Sequence, residues 1–96
     1  MYKDLDPLLH SQLRLAIVSL LMTSDKVDFN QIKDMTNASS GNISVQISKL
    51  QDAGYIEVIK SFKNNYQNTS LTMTKKGIKA FEDYVESLKQ YLKTNK

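Results

Sequence analysis

Eight residues between positions 39 and 49 carry groups suited to a nucleic-acid groove: Ser39, Ser40, Gly41, Asn42, Ser44, Val45, Ser48 and Lys49. Hydroxyls, an amide and an ammonium can meet base edges or phosphate oxygens, and an exposed valine can meet a thymine methyl. Glycine at position 41 lets a backbone approach closely. Spaced at about 100° per residue, Ile43, Ile47 and Leu50 form an apolar stripe. The opposite face holds Gly41, Val45 and Ser48, flanked by Asn42, Ser44 and Lys49. Ser39 or Ser40 can cap such a helix, and the free N–H groups at its start can hold a phosphate. The competing reading is the solvated face of an ordinary packed helix.

A second set, Lys60, Lys63, Asn64, Asn65, Gln67 and Asn68, combines ammonium groups with side-chain amides and suits phosphates or minor-groove acceptors. Its charge setting supports this. The net charge is only +3, and the residues before Lys60 hold five basic against seven acidic side chains. Residues 60–79 then hold Lys60, Lys63, Lys75, Lys76 and Lys79 with no acid, which makes the positive field local along the chain. Lys75 and Lys76 open the last helix, where the dipole disfavours positive charge. They read as a solvated pair or as a hint of a nearby phosphate. Arg14, the single arginine, is expected to pair with a carboxylate.

Other chemistries lack their parts. Cysteine is absent, which removes disulfides, thiol redox and zinc–thiolate sites, and His10 is the one histidine. With no Gly-rich phosphate loop and no paired carboxylates at a strand end, an enzyme is not expected, nor a metal or cofactor. The longest aliphatic run, near residues 15–22, is far short of the ~20 residues that span a bilayer, and no secretory leader is evident, so a cytoplasmic protein is expected.

The elements that position these residues can be read in order. Asp6-Pro7 signals a helix start, and Leu9, Leu13, Ala16, Ile17, Leu20 and Leu21 give a first helix over about 7–22. Val27-Asp28-Phe29 reads as a short edge strand. Asn30 can cap a second helix through Thr36, with Phe29, Ile32 and Met35 on its buried side, and Asn37 suits a left-handed helix end. The third helix closes at Gly54. Residues 55–62 form a strand, 63–68 a polar hairpin tip, and 69–73 the returning strand. Thr74 caps a last helix whose Ile78, Phe81, Val85, Leu88 and Leu92 make a heptad-like seam widened by Tyr84 and Tyr91.

This order resembles the stand-alone winged helix-turn-helix regulators related to the MarR and ArsR repressors. The resemblance is carried by Asp6-Pro7-Leu8-Leu9-His10-Ser11 with Leu13-Arg14-Leu15, Phe29-Asn30-Gln31-Ile32 and Gly41-Asn42-Ile43-Ser44-Val45. It continues through Lys49-Leu50-Gln51-Asp52-Ala53-Gly54-Tyr55-Ile56 and Thr74-Lys75-Lys76-Gly77, and spans nearly all of residues 5–92. It implies an α+β, mostly α, winged helix-turn-helix domain over 1–96: helix, short strand, helix, helix, two-stranded wing and long C-terminal helix. It implies a regulator that binds double-stranded DNA, with the third helix in the major groove. It also implies a basic residue at the wing tip, usually arginine; here only lysines are available, which favours backbone contact.

The resemblance and the surplus apolar seam together imply a homodimer on a near-palindromic operator. The helices near 7–22 and 75–92 would join the halves through Leu9, Phe81, Tyr84, Val85, Leu88, Tyr91 and Leu92. Tyr84 and Tyr91 are alternatively candidates for lining a small-molecule effector pocket. From a different class, the modest charge also fits a winged-helix module that binds another protein and not DNA.

Overall fold

The computed structural model describes residues 2–93. Asp6 opens a turn: its Oδ1 accepts from the Leu8 N–H at 3.0 Å, and its carbonyl accepts from the N–H groups of Leu9 and His10. The expected helix does not continue from there. Ser11 is extended (φ −148°, ψ 129°), and α1 runs over Gln12–Met22, because the turn is spent driving Leu9 wholly into the core. Ile17, Val18 and Leu21 bury the inner face of α1.

A two-residue strand β1 (Val27–Asp28) leads into α2 (Phe29–Thr36). The cap is Asp28, not Asn30. Its Oδ1 accepts from Gln31 N–H at 2.8 Å while Gln31 Oε1 accepts from Asp28 N–H at 3.0 Å, a reciprocal capping box that only an extended residue at the strand end can make. Ile32 is fully buried, but Met35 is 68% exposed, because Phe29, Ile32 and Thr36 take the inner face of this short helix. Asn37 ends it in the left-handed region (φ 57°), as its side chain predicts.

The third helix, α3, spans Ser40–Asp52 and buries Ile43, Ile47 and Leu50. Gly54 (φ 79°) closes it: its N–H reaches Gln51 O and the Tyr55 N–H reaches Leu50 O, the paired bonds of a Schellman ending. Strand β2 (Ile56–Lys63) then pairs antiparallel with β3 (Tyr66–Met73), in register from Ile56 opposite Met73 to Lys63 opposite Tyr66. The expected six-residue tip shrinks to Asn64-Asn65. Both have positive φ (53° and 66°), the geometry of a two-residue turn that matches strand twist, so the neighbouring amides are drawn into the ladder. The short β1 adds to the other edge of β3, giving the sheet order β1-β3-β2.

The last helix, α4 (Lys75–Leu92), begins at Thr74, whose Oγ1 accepts from Gly77 N–H at 3.0 Å and donates to Gly54 O at 2.6 Å. The Tyr55 carbonyl accepts from Thr74 N–H at 3.1 Å. The end of α3 and the start of α4 are thereby stitched together. A Cβ on Gly77 would lie 2.1 Å from the Tyr55 carbonyl oxygen, so the approach itself requires glycine. Beyond this junction α4 extends along a molecule of 57 × 26 × 21 Å.

Candidate nucleic-acid interface

Of the eight residues proposed on the third helix, Ser39 is the N-cap, its Oγ accepting from Asn42 N–H at 3.1 Å, and the other seven lie within α3. All eight are exposed, and Val45 keeps 51% of its surface in solvent. An apolar side chain left open beside Gly41, which has nothing within 4 Å of a Cβ, leaves a shallow face free for close approach. The helix holds this face outward because Ile43, Ile47 and Leu50 are buried on the other side.

The wing stands beside it. A cleft of about 200 Å³ is lined by Ser44, Ile47, Ser48 and Gln51 of α3, by Val58, Lys60 and Thr69 of the hairpin, and by Phe29. Helix α3 and the hairpin therefore share one continuous surface, with the exposed Lys60 at the join. Asn64, Asn65 and Gln67 are exposed and Asn68 is half-buried; Lys63 is the last residue of β2. The hairpin also projects Phe62 and Tyr66, 80% and 77% exposed, which inspection of polar residues alone passes over. Strand alternation puts Phe62 on the face of Ile56 and Val58, as if for burial. The two-residue turn lets β2 run beyond any helix that could cover it, and the adjacent Asn64-Asn65 pair was the available signal.

The acid-free lysine run does not stay together. An eight-residue strand of roughly 25 Å separates the wing tip from the start of α4. There Lys76 Nζ lies 5.9 Å from the centroid of the Tyr55 ring, and Lys79 pairs with Asp83 at 3.0 Å. Lys76 and Lys79 thus have partners within the chain at the junction and on the helix surface, and Lys75 is exposed. Tyr55 is fixed from its other end by donating to Asp6 Oδ2, and burial together with this carboxylate pushes its phenol up to about 12.

Arg14 does not pair with a carboxylate. Its Nε donates to Leu8 O at 2.6 Å and its Nη1 to Gln46 Oε1, while Gln46 Nε2 donates to Asn42 Oδ1 at 2.9 Å. The arginine is half-buried among amide and carbonyl acceptors, so the side chain that ties α1 to α3 also reaches the proposed interface. Nothing in the spacing of residues 32 positions apart announces this contact.

At the expected dimer surface the residues divide. Leu9 is fully buried and Tyr84 is 4% exposed; both belong to the core of one chain and offer a partner no area. Tyr84 lies on the side of α4 that carries Gly77 and Ser87, and its hydroxyl is 2.9 Å from His10 Nδ1. Tyr91 is half-engaged within the chain, stacked 4.8 Å from Tyr2 with its hydroxyl donating to Lys3 O. Phe81 and Leu88 pack partly on the core, whereas Ile78 and Leu92 are 37% and 68% exposed beside the half-buried Val85. Beneath Tyr84 a cleft of about 270 Å³ is rimmed by Asp4, Asp6 and Asp83. Among the described residues no group of three or more His, Cys, Asp or Glu could hold a metal ion, and no helix is long and apolar enough to cross a membrane.

A family model described as a winged helix DNA-binding domain matches residues 13–92, from the start of α1 to the end of α4. The chain is 31% identical over 84 residues to an uncharacterised protein of Methanocaldococcus jannaschii, covering 88% of this chain and 91% of that one. The structure of a transcriptional regulator homologue from Pyrococcus horikoshii OT3 aligns with a TM-score of 0.82 at 25% identity, over 88% of this chain and 84% of the other. A MarR variant from E. coli, solved with operator DNA, shares the fold at a TM-score of 0.73 and 15% identity, over 90% of this chain and 61% of that one. With four helices, a three-stranded sheet and a wing among its described residues, the chain belongs to the winged helix DNA-binding domain family.

Proposed function

We propose that this DNA-binding regulator acts as a sequence-specific homodimer on double-stranded DNA. In this reading α3 enters the major groove and presents Asn42, Ser44, Val45, Ser48 and Lys49 to base edges. Ser39, Ser40 and Gly41 sit against the phosphate backbone, and the wing runs along the backbone or minor groove through Lys60, Lys63, Asn64, Asn65, Gln67 and Asn68. One observation carries the reading: α3 and the hairpin form a single exposed surface joined at the cleft between Ser44, Ser48 and Lys60. Such a surface contacts both the base edges and the flanking backbone, the division of labour by which proteins position themselves and then read.

Dimerisation would use the strip Ile78, Phe81, Val85, Leu88 and Leu92, with the open part of Tyr91 at its edge. Two symmetry-related α3 helices then fit successive major grooves about 34 Å apart, which calls for a near-palindromic operator. In this reading a small-molecule effector would bind between the dimer halves. The test is a mobility shift on duplex DNA across a salt series. Log affinity should fall linearly with log salt concentration as counterions compete for the phosphate contacts. Salt-insensitive binding would refute the electrostatic part of the account, and indifference to heparin and random DNA alike would favour a protein-binding module.

A further inference from the structure

We infer that Arg14, a residue of α1 that touches no DNA in the proposed docking, sets which bases Asn42 accepts. The inference rests on α3 being the reading helix. Arginine has only donors. By donating Nη1–H to Gln46 it compels that side chain to turn its Oε1 toward α1 and its N–H₂ toward Asn42. Gln46 Nε2 then donates to Asn42 Oδ1 at 2.9 Å. Asn42 has one accepting end and one donating end; the accepting end is held inward, so its Nδ2 donors face solvent from the exposed side of the helix. The guanidinium is itself held by the Leu8 carbonyl at 2.6 Å, which leaves the relay one direction.

An outward-facing donor selects bases by what they present in the major groove. Guanine O6 and thymine O4 are acceptors at the positions where adenine N6 and cytosine N4 are donors. At that position, as distinct from the purine N7 that accepts in adenine and guanine alike, Asn42 is thereby biased to a keto base over an amino base in each half-site. Isolated on a helix, the same asparagine would turn either end outward and read neither. Arg14 is a positioning residue, and specificity at that base pair is set from another helix.

Gln46→Glu inverts the relay with almost no change in shape. A carboxylate accepts from both Arg14 and Asn42, so Asn42 must turn its N–H₂ inward and present Oδ1 to the groove. Duplexes selected from a random pool by the intact native chain should favour guanine or thymine at one position per half-site by about fivefold or more, the discrimination of a single directional hydrogen bond. Those selected by Gln46→Glu should favour adenine or cytosine there and leave the other positions unchanged. The added negative charge lowers affinity for every sequence, but base identity at one position does not follow from a general loss of affinity. Arg14→Met adds no negative charge and supplies the second arm: the preference should shrink to within about twofold. Native and Gln46→Glu proteins that select the same base, or Arg14→Met that keeps the native preference, would overturn the relay while leaving DNA recognition by α3 standing. A native chain that selects no duplex would overturn both.

Discussion

Two glycines illustrate how folding and binding separate at the level of single residues. Gly77 is required by packing, since a Cβ there would meet the Tyr55 carbonyl at 2.1 Å, whereas Gly41 has open space around it. Gly77→Ala should lower stability by about 1–3 kcal/mol in urea unfolding, the usual cost of forcing extra volume into a packed site. Gly41→Ala should hold or raise stability, by up to about 1 kcal/mol from helix preference, yet weaken DNA binding by keeping the backbone from the phosphates. Unchanged DNA affinity in Gly41→Ala would remove that residue from the contact surface. Tyr55 gives a pH-dependent counterpart. Its phenol is raised from 10.0 to about 12 by burial and by Asp6, so the fold favours its neutral form. That contribution is complete below pH 10 and lost as the pH climbs from about 10 to 12. Thermal melts across this window should fall more steeply for the native chain than for Tyr55→Phe, and parallel curves would show that the phenol is not the group responsible.

At the level of elements, α4 has two sides, and the proposal gives each its own job. Gly77, Tyr84 and Ser87 face the body of the chain, and Ile78, Val85 and Leu92 remain at least partly open. Replacing Ile78 and Val85 together by lysine should convert a dimer to a monomer in sedimentation without unfolding it, since neither side chain is buried. A native chain that sediments as a monomer, or a doubly substituted one that stays dimeric, would dismiss this strip as the interface. The same helix shows what the sequence made legible. Local signals carried through: Gly54 closing α3, Asn37 closing α2, Thr74 capping α4, and the buried stripe Ile43, Ile47 and Leu50 that leaves the polar face of α3 outward. Periodicity, however, marks a residue as buried without saying against what, so Leu9 and Tyr84 read as interface when they fill their own core. Asp6-Pro7 does start a turn, but the extended Ser11 that ends it depends on where Leu9 must go. Asn30 lost the cap to Asp28 because the alternative needed the strand, and the Arg14–Gln46 contact joins helices far apart in sequence.

On the scale of the whole molecule, the positive charge that is contiguous in sequence is divided in space. Lys60 remains beside α3, Lys76 lies over Tyr55 and Lys79 is paired with Asp83. In the proposed docking the lysines of this run that meet DNA are those of the wing, and a second copy on the same duplex would double that grip. The molecule is extended, 57 Å in its longest dimension, and the proposal gives α4 the joining of copies and α3 and the wing the contact with DNA. The most direct test of the central claim, that α3 reads duplex DNA in a paired arrangement, is selection of bound fragments from a random duplex pool by the intact chain. The account predicts enrichment of two inverted half-sites whose centres lie about one helical turn apart, roughly 10 base pairs. A pool whose sequences are unchanged after repeated rounds would contradict it.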